Sequence, residues 1–265
     1  MDIGPTPSEI FERAVKEGER RLDQSLLALA SNGLIAGFTI VFGIIVLGIV
    51  QAGVEPLSKG LARIAGAGGF GIGLVFLLVG RAELVTENFF DPVAAVVERD
   101  RNGDVNRLLR LWGGTFVFNL VGGTLLVGVL SVDGVLPEGT AEVLITLAED
   151  IAGRSSGVGL LKAITGGALV TLLSFLAQAV NQVGSRLWLA MLVGFVLALG
   201  PFDHVIVTDL HLLFGLFLGG EVGVGSLIWT TVLSTGGNLV GGLGFVTLTH
   251  VEQVRGERQS GTSGV

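Results

Sequence analysis

The chain contains 265 residues, with 23 acidic residues against 16 lysines and arginines, and it carries a formal net charge of −7. Half of its residues are hydrophobic, 15% are charged against about 25% in ordinary soluble domains, and 43 are glycine, more than twice the average share of about 7%. This composition excludes a nucleic-acid-binding protein, a disordered chain and a conventional cytosolic enzyme. It is typical of a polytopic membrane protein, in which small residues let helices approach closely. The absence of cysteine excludes disulfides and thiolate ligands, and we expect neither a cofactor nor a metal.

Residues 1–24 are predicted to form a helix on the cytoplasmic surface of the membrane. The run Thr6-Pro7-Ser8-Glu9 fits a capping box with proline at the first helical position. Ile10, Phe11, Ala14 and Val15 would then share one face of the helix. The alternative is a solvated helical lead-in without a role of its own.

Six segments of residues 25–255 are candidates for helices that span a membrane, which need about 20 apolar residues each. They are Ser25–Gln51, Ile64–Gly80 with a less clean continuation to Val97, Leu108–Leu130, Val158–Val180, Arg186–Leu218 and Val224–His250. Polar residues interrupt the second span at 81–91 and the fifth at 200–210. The remaining residues, 256–265, are expected to be a disordered tail.

The distribution of basic residues predicts the orientation of the chain. Six spans place both termini on one side of the membrane, and the loops and termini on that side carry 11 lysines and arginines: Arg13, Lys16, Arg20, Arg21, Arg99, Arg101, Arg107, Arg110, Arg186, Arg255 and Arg258. The opposite side carries three, Lys59, Arg63 and Arg154. The positive-inside rule therefore predicts cytoplasmic termini in a plasma or inner membrane.

An internal repeat accompanies these spans. Asn-Leu-Val-Gly-Gly occurs at Asn119–Gly123 in the third span and at Asn238–Gly242 in the sixth, an offset of 119 residues. The same offset carries the interruption at 81–91 onto the interruption at 200–210. Each half contains three spans, so the halves must cross the membrane in opposite directions. The sequence thus predicts an all-α, inverted 3+3 repeat whose interrupted second and fifth spans meet at the functional centre.

The two interruptions contain the candidate functional residues. The first is interpreted as a re-entrant loop that places Thr86 and apolar side chains against a pathway, or alternatively as a cytoplasmic loop that follows a span ending at Gly80. In the second, His204 can titrate near neutral pH and is a candidate proton donor, or alternatively a structural histidine at a helix break. Asp203 would either orient and charge this imidazole or cap the second half-helix.

Two further cations have alternative interpretations. Lys162, near the outer start of the fourth span, either reaches the membrane interface or attracts anions into a vestibule. Arg81 either pairs with Glu83 or Glu87, or attracts anions.

These residues resemble the formate/nitrite transporter family over roughly Ser25 to Arg255. The resemblance depends on Ala82–Thr86 after the second span, Phe202-Asp203-His204 in the fifth and Gly237–Gly242 in the sixth. It implies an aquaporin-like protomer with broken second and fifth spans, assembled as a homopentamer with one pore per protomer. It also implies passage of small monovalent anions such as formate or nitrite.

The resemblance also assigns residues. His204 resembles the central pore histidine, Asp203 the preceding acid, and Thr86 the loop threonine that contacts the histidine. Leu84 and Val85 correspond to an apolar constriction, Lys162 to a vestibule lysine, and Asn238 to an asparagine of the sixth span. We assign Phe202 to the same constriction and predict that Asn238 and Asn88 are pore-lining polar groups. The chain differs from the usual pattern at several positions: Val85 replaces a phenylalanine, Arg81 a glycine, Glu87 a small residue, and Gly166-Gly167 an asparagine. These differences indicate a divergent branch.

The expected function is transmembrane transport of a small monovalent weak-acid anion, with proton participation through His204. One alternative is an aquaporin-like channel for a neutral solute, although no Asn-Pro-Ala pair occurs at the interruptions. The other is a membrane scaffold that transports nothing. No nucleophile–base set or phosphate-binding loop favours an enzyme.

Overall fold

The computed structural model describes residues 4–99, 104–259 and 261. Within these ranges the chain is helical and contains no β-strand. Its elements are α1 (Pro7–Leu22), α2 (Leu26–Val54), α3 (Lys59–Gly80), a 3-10 turn (Val85–Phe89), α4 (Asp91–Arg99), α5 (Asp104–Leu130), α6 (Thr140–Ala152), α7 (Ser156–Ala179), α8 (Val183–Leu199), α9 (Val205–Phe217), α10 (Val224–Leu239), a π-helical segment (Val240–Thr247) and α11 (Leu248–Gln259). Arg101, which was counted for orientation, and residues 260 and 262–265 of the expected tail lie outside the described residues.

Helix α1 begins with the predicted capping box. Thr6 Oγ1 accepts the Glu9 N–H at 3.3 Å, and Glu9 Oε2 accepts the Thr6 N–H at 2.7 Å. Its apolar face, which includes Phe11, is buried in a cluster with Phe175 of α7 and Val254 of α11. The helix is therefore packed onto the body of the protein and is not a solvated lead-in.

Five helical stretches of the described chain are long and apolar enough to span a membrane. They are α2, α3, α5, α7 and the continuous run Val224–Gln259. The first four predicted spans agree with α2, α3, α5 and α7 to within five residues at each end. The fifth predicted span corresponds to two shorter apolar helices, α8 and α9.

Close contacts between helices occur at glycines. A Cβ on Gly43 of α2 would lie 2.7 Å from the Phe70 carbonyl oxygen of α3. A Cβ on Gly37 would collide with the backbone of Asn119 in α5. Small residues at such positions allow the dispersion contacts that hold helices together when the surrounding medium is as apolar as the helices. Large apolar side chains such as Trp188 and Leu192 point outward and are exposed, as expected of a surface in contact with lipid or with other copies.

Both predicted interruptions contain residues outside α-helix. Helix α3 ends at Gly80, and Arg81 adopts a left-handed conformation with φ 55° before the 3-10 turn and α4. Helix α8 ends at Leu199, and α9 begins only at Val205. The less clean continuation of the second predicted span to Val97 contains α4, whose residues Asp91, Pro92, Ala94 and Ala95 are buried.

Two sequence predictions need correction. The segment between the third and fourth predicted spans, for which no helix was predicted, contains helix α6, whose Leu144 and Ala148 are fully buried against the neighbouring helices. Its length of 13 residues is below that of a spanning helix, which is why it was missed. Residues 256–259 of the expected disordered tail belong to α11, because Val251 and Val254 pack against α1 and α4 and extend the helix.

Candidate functional site

A polar cavity of about 470 Å³ opens between α2, α3, α6, α7 and the connection from α8 to α9. We call it the vestibule, and its charged lining residues are Arg63, Asp150, Arg154, Lys162 and Asp203. Phe202 and His204 lie in the same wall, at the gap between α8 and α9. Lys162 lines the cavity, which is where the vestibule interpretation of this residue places it.

His204 occupies the first position before α9 and has both ring nitrogens engaged. Its Nδ1 accepts the Val207 N–H at 3.4 Å, which satisfies one of the free N–H groups at the start of the helix. Its Nε2 is in hydrogen-bond contact with Thr86 Oγ1 in the 3-10 turn. Because Nδ1 acts as an acceptor, the proton of the neutral ring is on Nε2, which donates to Thr86. The two predicted interruptions therefore meet at this pair of side chains.

Two asparagines hold the backbone on either side of this contact. Asn238 Oδ1 accepts the Val205 N–H at 2.9 Å, while its Nδ2 donates to the carbonyl oxygens of Asp203 (2.8 Å) and Ala163 (2.7 Å). Asn238 and the second asparagine, Asn119, are both fully buried. Each binds backbone groups that the adjacent helix gap leaves without partners.

Asn119 repeats this arrangement at the other interruption. Its Oδ1 accepts the Val85 N–H at 3.1 Å, and its Nδ2 donates to the carbonyl oxygens of Glu83 and Gly33, each at 3.0 Å. We call the two residues the asparagine clamps. The sequence repeat that contains them was recognised, but a role for Asn119 was not, because nothing in the sequence shows which backbone groups face it.

The predicted apolar constriction lies beside Thr86. Leu84 and Val85 are buried in the central apolar cluster, and the partly buried Phe202 packs against the same cluster. The Leu84 N–H donates to Glu87 Oε2 at 2.9 Å and fixes the turn locally. Phe202 lines the vestibule, whereas Leu84 and Val85 do not.

The predicted role of Asp203 was wrong. Its carboxylate contacts neither the His204 ring nor the N–H groups of α9; instead it accepts two hydrogen bonds from Arg154 Nη1, at 2.8 and 2.9 Å. A guanidinium carries a full charge, which stabilises a partly buried carboxylate better than a neutral imidazole does. Arg154, counted only as a loop charge from the sequence, is therefore a residue of the vestibule wall.

Three other predicted site residues have surroundings that the sequence did not show. Asn238 and Asn88 do not line the vestibule; Asn88 Oδ1 accepts from Arg21 at 3.0 Å and its Nδ2 donates to Thr115. Arg81 makes no hydrogen bond or ion pair with Glu83 or Glu87 within the described part of the chain. Its side chain is exposed, and Glu83 pairs with Arg20 instead.

Sequence analysis missed a charged cluster between α1 and the 3-10 turn. Arg20 binds Glu83 at 2.8 Å, and Arg21, which is largely buried, contacts Asp91 at 3.4 Å. Burial alone would raise the pKa of Glu17, but hydrogen bonds and charges from Arg20 and Arg21 lower it to about 2. The sequence contained a sign of this cluster, because carboxylates in an apolar region require cationic partners. The sequence does not show that α1 supplies them.

The paired glycines of α7 have a packing role. A Cβ on Gly166 would collide with the backbone of Asp203, and a Cβ on Gly167 with the backbone of Asn238. Gly166 therefore lets the connection before α9 lie directly against α7, and Gly167 does the same for α10. Among the described residues no group of three histidines and carboxylates is placed to hold a metal ion.

The comparisons with known proteins agree with this architecture. The sequence profile described as formate/nitrite transporter matches residues 8–251. The uncharacterized transporter YrhG of Bacillus subtilis (strain 168) is 30% identical over 255 residues, covering 92% of this chain and 91% of the relative. The inner membrane protein YfdC of Escherichia coli (strain K12) is 24% identical over 251 residues, covering 94% of this chain and 79% of the relative.

Solved structures show the same fold. A structure described as an FNT family ion channel superposes with a TM-score of 0.82 at 16% identity, covering 92% of this chain and 98% of the other. A pentameric formate channel with formate bound gives a TM-score of 0.69 at 17% identity, covering 85% of this chain and 96% of the other. The chain is therefore a multi-pass membrane protein that belongs to the formate/nitrite transporter family.

Proposed function

We propose that the protein conducts a small monovalent weak-acid anion, such as formate or nitrite, across the plasma or inner membrane, and that His204 takes part in protonating it. The contact between His204, in the vestibule wall, and Thr86, next to the buried apolar residues Leu84 and Val85, is the observation that carries this proposal. The solved relative with formate bound supports the substrate class.

The proposed architecture is an inverted repeat of six spans, with α3–α4 and α8–α9 as the broken second and fifth. The asparagine clamps support it, because they lie at one offset and each binds the backbone at one interruption. The proposed assembly is a homopentamer with cytoplasmic termini, by resemblance to the pentameric relative and from the distribution of basic residues.

The vestibule provides the attraction for an anion. Arg154 and Asp203 neutralise one another, so the remaining charged groups are Arg63 and Lys162 against the single carboxylate of Asp150. The N-terminal end of α9 adds the positive end of its macrodipole at His204. A monovalent anion is therefore concentrated at the base of the cavity.

The constriction then requires a proton. A small carboxylic acid with a pKa of about 4, like that of an aspartate side chain, is almost wholly ionised at pH 7. Carrying a charge through an apolar region at the membrane centre costs at least about 3 kcal/mol. As the anion loses water beside Leu84 and Phe202, its affinity for a proton rises, and His204 or vestibule water reached through it supplies one. The neutral acid crosses and ionises on the other side.

Flux measurements in proteoliposomes test this function. We expect uptake of formate, nitrite or a related anion that increases as the external pH falls, and little osmotic swelling with a neutral polyol. Swelling without anion flux would support a neutral-solute channel, and no flux with any anion tested would support a scaffold. Either result would refute the proposal.

A further inference from the structure

A second histidine, His211, faces the vestibule on the same helix as His204. The two residues are seven positions apart on α9, which is about 10 Å along a helix at 1.5 Å per residue. His211 lines the vestibule, as does Thr208 between them. The imidazole of His211 therefore lies farther along the wall from the contact with Thr86.

The two imidazoles are held in opposite tautomers. His211 Nδ1 is 2.8 Å from the Val207 carbonyl oxygen, which can only accept, so Nδ1 carries the proton of the neutral ring. Its Nε2 consequently has a free lone pair, and among the described residues no protein group is hydrogen-bonded to it. His204 has the reverse arrangement, with its proton on Nε2 and with both nitrogens engaged.

The charges that face His211 come from several elements. Arg154, at the end of α6, and Asp203, before α9, form the ion pair of the vestibule wall and act electrostatically on His211. Asp150 of α6, Lys162 of α7 and Arg63 of α3 line the same cavity. Asp209, on α9 itself, is hydrogen-bonded to Thr231 and does not line the cavity. His211 thus lies among groups of both signs at a position that water-sized molecules reach.

We propose that His211 is a second proton-exchange residue, which passes protons between the weak acid at the mouth of the constriction and the water of the vestibule. This inference rests on the proposed function. His204 is only 1% exposed and its ring nitrogens are occupied, so direct exchange between its ring and water is slow. His211 offers an unprotonated nitrogen at the cavity surface.

The step balances without any further reactant. When a neutral acid leaves the constriction, its O–H bond breaks and the electron pair stays on its oxygen, while an N–H bond forms at His211 Nε2. The imidazolium then gives this proton to vestibule water, and the anion leaves. In the opposite direction, His211 takes a proton from water and returns it to the anion that moves inward.

Replacement of His211 by asparagine tests the proposal. The amide nitrogen of asparagine can still donate to the Val207 carbonyl, so the helix keeps this bond. In weakly buffered medium we expect formate flux to fall about tenfold or more, since a positioned acid–base group typically contributes at least that much. External imidazole should restore the flux. His250→Asn is the matched control, because His250 Nδ1 contacts the Val246 carbonyl in the same way, at 2.7 Å, outside the vestibule.

An unchanged flux in His211→Asn, or a loss that imidazole does not restore, would overturn the proposal. Diethyl pyrocarbonate, which acylates unprotonated imidazole, provides a second measurement that does not depend on the substrate. Peptide mapping should show His211 modified before His204, and an unreactive His211 would also overturn the proposal. If the wild-type protein carries no formate, the proposed function has failed, and the modification pattern alone decides the accessibility of His211.

Discussion

Replacing Asn238 with leucine would remove all three of its hydrogen bonds to the backbone, two of which bind groups at the gap before α9. The Val205 N–H and the Asp203 carbonyl both bind this side chain, at 2.9 and 2.8 Å, and leucine has nearly the same shape but no polar atoms. Each buried group left unpaired costs about 1–3 kcal/mol, so we expect a loss of about 2–6 kcal/mol. At roughly 2–4 °C per kcal/mol, the melting temperature should fall by at least about 4 °C.

Tryptophan fluorescence during heating of the detergent-solubilised protein measures this loss. Asn119→Leu should cause a similar decrease, because Asn119 makes the equivalent bonds to Val85 and Glu83. The exposed Asn106 provides the control, and Asn106→Leu should leave the melting temperature nearly unchanged. If both clamp variants melt within one degree or so of the wild-type protein, the clamps do not hold the helix gaps together.

Three further predictions concern stability. Arg81→Gly should raise the melting temperature, because a left-handed conformation costs an L-residue about 1–2 kcal/mol and glycine almost nothing, whereas Arg81→Ala should bring no such gain. The pKa of Glu17 is lowered to about 2 from 4.5, so its contribution to stability is complete above pH 4.5 and is lost as the pH falls towards 2. The difference in melting temperature between Glu17→Gln and the wild-type protein should accordingly shrink over that range; a constant difference would contradict the ion pairing. Gly166→Ala should destabilise the protein by about 1–3 kcal/mol or more, because the added methyl group collides with the Asp203 backbone, while Gly159→Ala on the same helix meets open space and should be tolerated.

The sequence was sufficient to predict the spanning helices because their positions follow from local hydropathy. Helices α2, α3, α5 and α7 each present a run of apolar residues long enough to be recognised without knowledge of their neighbours. Helix α6 was missed because it is short and its neighbours, not its own composition, bury it.

The site was only partly predictable for a related reason. His204 and Thr86 could be identified because polar residues in apolar segments are rare, and the chain resembles a known family at both positions. The ion-pair partners of Asp203 and Glu83 could not be identified, because Arg154 and Arg20 come from segments far away in sequence. Asn238 was assigned to the pore because a polar side chain in a span suggests a ligand, whereas it binds the backbone of its own protein.

Formate flux as a function of external pH, in proteoliposomes containing the wild-type protein or His204→Ala, tests the central claim most directly. In the wild-type protein, uptake should increase steeply as the external pH falls from about 8 to about 6, because each anion that enters the apolar constriction must take up a proton. The variant should lose this increase or lose uptake altogether, while the control His250→Ala should behave as wild type. A His204→Ala protein that keeps both the rate and the pH profile of the wild-type protein would contradict the account.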